Sequence, residues 1–258
     1  MIDIHSHILP EVDDGSHSLE ESIQMCRRSA DDGVTVMVAT PHAHDGVHTT
    51  HDPEFLRQKV AELNEQLGGT LRVVIGCELR FTHDIVRQVC ETKSAPTIAG
   101  GPYVLVEFPH TVVPPGSERP LFELMSNQIT PIIAHPERNQ MLIAEPERFF
   151  PIIEMGALGQ MDTGSITGQF GKRVQHAVRV MLEHGLIHFI ASDCHNTRNR
   201  LPGLSEAVAL TAEIVGDEYA RAIADANPLA VVEGRPIPSV PNPELPKKKK
   251  RWVLFGRS

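Results

Sequence analysis

Two histidines separated by one residue, His5-Ser-His7, stand near the start of this chain, and an acid and a histidine with the same spacing, Asp193-Cys-His195, stand late in it. Side chains two apart on an extended strand point the same way, so both members of such a pair can reach one cation. Alone, a His-x-His pair is weak evidence, because two surface histidines look the same. Here it is followed by Asp13-Asp14-Gly15, and His42, Glu78, Glu107 and His135 each fall where an apolar, β-rich run ends. Burying so many carboxylates is costly unless they are paired or bound to metal. Eight or nine donors exceed the about four that zinc takes or the about six of an octahedral ion, so two or three divalent ions are expected. Glu78 is the best placed to bridge them. Imidazole and carboxylate without thiolate suit manganese, iron or zinc. Adjacent ions of this kind hold a hydroxide nucleophile and polarise phosphoryl oxygens. Arg138, in His135-Pro-Glu-Arg138, and Arg200, in the loop after Asp193, could grip a phosphate bidentately. Solvated loop arginines are the alternative for both, and Arg198 is a weaker rival to Arg200. The reaction expected is metal-dependent hydrolysis of a phosphate ester, with His42, Arg138, Asp193 and Arg200 at the reacting centre.

For residues so far apart to meet, the elements between them must bring strand ends together. Ile2 to His7 reads as a strand. Ser18-Leu-Glu-Glu21 has capping-box spacing and starts a helix that runs to Asp32 and stops at Gly33. Val34 to Ala39 is a buried strand by its β-branched density. Asp52-Pro53 opens a helix with Leu56, Val60, Leu63 and Leu67 on one face, closed by Gly68-Gly69. Further strands are expected at 71–77, 103–107, 130–135, 157–161 and 186–192. Helices are expected at 84–91, 121–127, 146–155, 170–184, 204–215 and 218–226. Strands alternating with helices imply right-handed parallel units. In an open sheet the strand ends form a line and distant ones cannot share a site. In a closed barrel they face one another across a mouth. The expected fold is therefore α/β, a TIM-like barrel of seven strands with its metal site at their C-terminal ends.

At 258 residues, with 41% hydrophobic and 22% charged residues, the chain has the makeup of a globular protein. A net charge of −9 argues against nucleic acid as a partner. Cys26, Cys77, Cys90 and Cys194 lie singly, so reduced, packed thiols are expected rather than disulfides. Met1-Ile-Asp-Ile-His lacks a basic or apolar leader segment, which favours a cytoplasmic location. The proline-rich 235–246 segment cannot be regular structure. Two parts are therefore expected, a barrel over 1–235 and a linker with a basic tail over 236–258. The tail sets Lys247 to Arg251 beside Trp252 and Phe255. It is either a solvated end or a weak contact with an anionic membrane at the inner face.

Taken as a set, Met1-Ile-Asp-Ile-His-Ser-His-Ile, Asp13-Asp-Gly15, Thr40-Pro-His42, Glu107-Phe108, Ala134-His-Pro-Glu-Arg138 and Ala191-Ser-Asp-Cys-His-Asn196 resemble the polymerase-and-histidinol-phosphatase (PHP) superfamily. Within it the chain is most similar, over residues 1 to 235, to bacterial manganese-dependent protein tyrosine phosphatases of capsule and exopolysaccharide loci. The resemblance implies a distorted (β/α)7 barrel and a trinuclear centre. The ligands it implies are His5, His7, Asp14, His42, Glu78, Glu107, His135, Asp193 and His195, with Arg138 and Arg200 holding the phosphate. It further implies a phosphotyrosine protein as substrate, a membrane-bound tyrosine autokinase of polysaccharide export. The histidine-rich loop after His42 departs from the family pattern, and its His44, His48 and His51 are expected to be exposed at the mouth. A place behind the ligands for Asp162 and one at the rim for His110 stand as the lesser alternatives to lying outside the working set, and His17, His83, His176, His184 and His188 are expected on helix faces or in packed positions.

Three rivals stand beside this reading. A phosphatase of small metabolites such as histidinol phosphate would share every ligand. A barrel amidohydrolase with two bridged metals would need a lysine at a central strand end, and Glu78 and Glu107 occupy those places. A non-catalytic metal scaffold is opposed by the complete ligand set, and metal-dependent turnover would exclude it.

Overall fold

The computed structural model describes residues 1–245; the basic tail expected at 247–258 lies outside them. The chain starts with β1 (Ile2–Ser6) and α1 (Leu19–Asp31). The Ser18 side chain accepts from the Glu21 amide, as the capping pattern requires. Next come β2 (Val36–Ala39), β3 (His42–Ala43) and α2 (Pro53–Leu67), the last capped by Asp52 and ended by left-handed Gly68. They are followed by β4 (Arg72–Ile75), β5 (Glu78–Arg80), β6 (Tyr103–Glu107), α3 (Glu118–Ser126) and β7 (Thr130–Ala134). Short helices α4 (Gln140–Ala144) and α5 (Phe150–Glu154) precede β8 (Leu158–Asp162). Then come α6 (Thr163–Ile166), α7 (Lys172–Glu183), β9 (Phe189–Ala191), α8 (Ser205–Val215), α9 (Asp217–Arg221) and α10 (Asn227–Val232).

All strand pairs are parallel, in two sheets ordered β1-β2-β4 and β3-β5-β6-β7-β8-β9. The strand expected over 71–77 stops at Ile75, and a further short strand begins beyond the one expected at 34–39. Pro41 carries no backbone donor and separates β2 from β3, while Gly76-Cys77 separates β4 from β5. Glu78 and His42 therefore begin short strands of their own, paired with each other in register, instead of ending the preceding ones. The two sheets also meet at β1 and the end of β9. There Ser6 bridges Cys194, the His7 amide donates to Cys194 O (2.8 Å) and the Asp193 amide donates to His5 O (2.9 Å).

The core divides in two. Strand side chains Ile4, Val38, Leu105, Ile132 and Phe189 pack together inside the strands, and the opposite strand faces pack against helices. The 84–91 helix takes π form over Arg87–Glu91, as does the Ala222–Ala226 continuation of α9. The proline-rich 236–245 segment has no regular structure but is tied down: Asn227 exchanges hydrogen bonds with Ser239, and the Glu244 amide donates to His184 O (2.9 Å). All four cysteines are free, three of them buried and Cys90 half-buried. No helix among the described residues is long and apolar enough to cross a membrane.

Candidate metal centre

The two imidazoles of β1 are fixed by partners on opposite sides. In β8, Gln160 gives its amide nitrogen to Asp162 Oδ1 (3.1 Å), which leaves its carbonyl to accept from His5 Nδ1 (2.9 Å). His7 Nδ1 donates to Asp13 Oδ2 (2.7 Å). Both Nε2 atoms are thereby turned inward as acceptors, only 3.3 Å apart. Asp13 and Asp14 reach this place because Gly15 presses against the strand. A Cβ on Gly15 would stand 2.1 Å from His7 O, so only glycine allows the approach.

Glu78 lies at the middle. Its Oε1 faces His135 Nε2 (2.8 Å) and His5 Nε2 (3.4 Å), while its Oε2 faces His42 Nδ1 (3.0 Å) and His7 Nε2 (3.4 Å). One carboxylate thus touches four imidazoles, the arrangement expected of a bridging ligand. Asp193 is divided in the same manner. Its Oδ1 faces His5 and His7 at 3.3 and 3.4 Å, and its Oδ2 accepts from Arg138 (2.5 Å) and from Arg200. His135 and Asp193 are both held in the left-handed region, at φ 31° and 48°, conformations that cost non-glycine residues energy and recur at functional sites. Asp14, about half exposed, closes the outer side, its Oδ1 3.4 Å from both His42 and His195.

All nine residues expected as ligands fall in overlapping groups whose donor atoms lie within 4.8 Å of one another: His7 with Asp14, His42 and His195; His5 with Glu78 and His135; His5 with His7 and Asp193; and His42 with Glu78 and Glu107. Buried His42 Nδ1, Glu107 Oε2 and Asp193 Oδ1 have no well-formed hydrogen bond within the protein. His42 Nδ1 and Asp193 Oδ1 belong to residues of the clustered donor groups, where a bound cation would satisfy them, whereas Glu107 Oε2 faces Arg80 Nη1 at 3.2 Å. The donor set fits hard or borderline divalent ions.

The electrostatics agree. Burial raises the Glu78 carboxyl, but the neighbouring His5 charge and hydrogen bonds from His135 and His42 hold it well below the usual carboxylate range. Burial and the negative charge of Glu78 instead push Glu107 up. Burial opposes a charged His42, yet Asp14 and Glu78 lift it to about 10. The acids here attract positive charge strongly enough to hold protons on imidazoles.

Several residues escaped the sequence reading. Asp162, expected to stand apart, accepts from Arg138 Nη1 (2.8 Å). Gln160 and Asp162 alternate along β8, and that period was the signal available for both. Arg80 ends β5, 3.2 Å from Glu107. His110 reaches to 3.7 Å from Glu107 and is a rim neighbour after all. The loop histidines are half-buried rather than exposed: His48 donates to Asp45 (2.7 Å) and stacks on His42 with ring centres 4.9 Å apart, while His44 meets Ser94 and His51 meets Val12 O. His188 is buried and accepts from the Gly159 amide, and burial pushes it down to about 4.

Residues 1–233 match a family described as "Capsular polysaccharide synthesis, CpsB/CapC". The chain is 33% identical to the tyrosine-protein phosphatase YwqE of Bacillus subtilis, covering 99% of each chain. It is 34% identical to the tyrosine-protein phosphatase CpsB of Streptococcus agalactiae over 85% of this chain and 93% of that one. Among solved structures it superposes with a TM-score of 0.89 and 32% identity, over 97% of this chain and all of the other, on a chain from the work on YwqE of Bacillus subtilis and CpsB of Streptococcus pneumoniae, described there as unique metal-dependent tyrosine phosphatases.

Proposed function

The chain belongs to the CpsB/CapC family of capsular polysaccharide synthesis, and we propose on that premise how its clustered imidazoles and acids carry out phosphotyrosine hydrolysis. It is a metal-dependent tyrosine phosphatase. The observation that carries the mechanism is the divided Asp193, whose Oδ1 faces the histidines while Oδ2 holds both arginines.

His5, His7, Asp14, His42, Glu78, Glu107, His135, Asp193 and His195 would hold two or three divalent ions, Glu78 lying centrally among them; manganese fits the donor set, as do iron and zinc. Bound there, such ions supply Lewis acidity and lower the pKa of water toward neutrality. Arg138 and Arg200 receive the phosphate oxygens, and Asp193 keeps their charge within reach of the ligands it also provides. Asp162 holds Arg138 from behind, so the guanidinium is aimed before substrate arrives. Buried Glu78 and Asp193 stay ionised under the surrounding positive charge and do not compete as proton donors. Tyrosine's phenol has a pKa of about 10, so its phenolate departs with modest need of a general acid.

The two sheets are read as one distorted (β/α)7 barrel, β2 continuing into β3 and β4 into β5. The β1–β9 hydrogen bonds support closure. Residues 1–235 form this catalytic unit and 236–258 an appendage. The substrate is a tyrosine-phosphorylated protein of capsule synthesis, a membrane-bound tyrosine kinase in the simplest case, met from the cytoplasmic side.

The test is turnover of a phosphotyrosine peptide against histidinol phosphate, after metal removal and return. His135→Ala and Asp193→Ala should each lose at least about a hundredfold in kcat, the scale of removing an essential electrostatic group. Undiminished turnover in both variants would refute the metal role, and a preference for histidinol phosphate would move the substrate to a small metabolite.

A further inference from the structure

Beside the phosphate-binding arginines lies a cleft of about 470 Å³ that the mechanism above leaves unused. That volume is within the roughly 300–1,000 Å³ of small-ligand clefts. Asp193, Asp162 and Arg200 line it together with Phe170. Phe170 is a large apolar side chain left 36% exposed at the end of the loop before α7. The Arg138 guanidinium carbon lies 4.8 Å from its ring centre. Gly164 makes room for the ring: a Cβ there would stand 3.0 Å from Phe170 Cε2 and 2.7 Å from Gln169 Oε1.

We propose that Phe170 is the aromatic platform of the substrate site, contacting the tyrosyl ring while Arg138 and Arg200 hold its phosphate. This rests on the phosphotyrosine reading and deepens it by assigning the leaving group a place. The chemistry favours an aryl ester. A phosphate held by Arg138 and Arg200 leaves its ester oxygen and attached group beside the cleft, where Phe170 is the one aromatic side chain lining it among the described residues. An aryl group gains a ring-to-ring contact there that an alkyl group of serine or threonine lacks. Because Arg138 touches both the ring and Asp193, placement of the phosphate and of the aryl group is coupled through one guanidinium.

The experiment separates the aryl contact from bracing of Arg138. The metal-loaded full chain is measured for KM and kcat on a phosphotyrosine peptide and for inhibition by inorganic phosphate, which has no ring. Phe170→Ala should raise KM for the peptide roughly threefold to tenfold, the scale of one aromatic pair. The inhibition constant of phosphate and kcat should move less than about twofold. Phe170→Trp should recover the lost affinity, and Gly164→Ala, which displaces the ring, should reproduce the alanine effect. An unchanged KM overturns the proposal. A parallel rise in KM and in the phosphate inhibition constant overturns it too, since Phe170 would then serve only to hold Arg138. If the unaltered protein ignores phosphotyrosine peptides but hydrolyses another phosphomonoester, the phosphotyrosine reading fails instead, and the two failures are distinguishable.

Discussion

Asp13 does not line the space between the imidazoles, yet it decides where two of them lie. One of its oxygens accepts from His7 Nδ1 (2.7 Å) and from the His42 amide (3.1 Å), and the other from Gly15 N (2.9 Å). Burial would raise its pKa, but the charge of His7 and its hydrogen bond bring it to about 2, so it stays an anion across the working range. Asp13→Ala should therefore weaken metal binding about 10- to 100-fold without unfolding the protein, the scale found for partners that orient ligating histidines. Competition with a chelator of known affinity measures it, and equal affinity would show that His7 is held by other means. In the sequence, Asp13 and Asp14 are adjacent acids, and spacing alone cannot rank them. Position does: Asp14 faces His42 and His195, while Asp13 lies behind His7. The same holds for Gln160, whose alternation with Asp162 marks the strand face the two share but not that Gln160 is the partner of His5.

The helices show a similar division. α1 and α2 were readable to their caps, because a capping side chain and its helix are neighbours in sequence. α8 was readable to within one residue, at 204–215 against Ser205–Val215, but its cap was not. Its first amides are capped from afar: the Leu204 and Ser205 amides donate to Asp32 Oδ2 at 2.6 and 2.9 Å, and Ser205 Oγ donates to the other oxygen. Asp32 sits at the C-terminal end of α1, where a negative charge is unfavourable to that helix, and is there for the positive end of α8. This clasp anchors the loop that carries Arg200. Asp32→Ala should cost about 1–2 kcal/mol, as lost helix caps do, in urea unfolding. An unaffected unfolding midpoint would mean that solvent caps α8 equally well. Pro41 and Gly76 were visible as residues, but their effect was not: beyond them His42 and Glu78 each start a fresh short strand. Helix was expected over 87–91 and 222–226 but not its π form, and the short α4, α6 and α10 had no periodic signal long enough to read.

At the scale of the whole molecule the cluster couples folding to pH and to metal. Burial and Arg138 oppose a charged His135, but Asp162 and Glu78 lift it to about 9, and His42 rises to about 10. A histidine that binds its proton more tightly when folded adds stability below its unfolded value of 6.5, and loses it as the pH climbs through the folded value. Metal-free protein should therefore lose thermal stability as the pH is raised from about 7 to about 10, whereas metal, by replacing those protons, should flatten the decline and release protons on binding. Scanning fluorimetry with and without manganese reads the slopes, and identical slopes would separate the histidines from the metal.

Residue types and their local periods were enough to establish that this chain alternates strands with helices and sets its imidazoles and acids near strand boundaries, since those features depend on neighbours within a few positions; that His42 and Glu78 begin strands rather than end them was not legible there. Which acids face inward, that Asp193 serves ligands and arginines at once, and that Phe170 stands over Arg138 were decided only in three dimensions. Those relations join residues dozens of positions apart, and the direction of a side chain across a shared space is set by packing of the whole rather than by the sequence beside it.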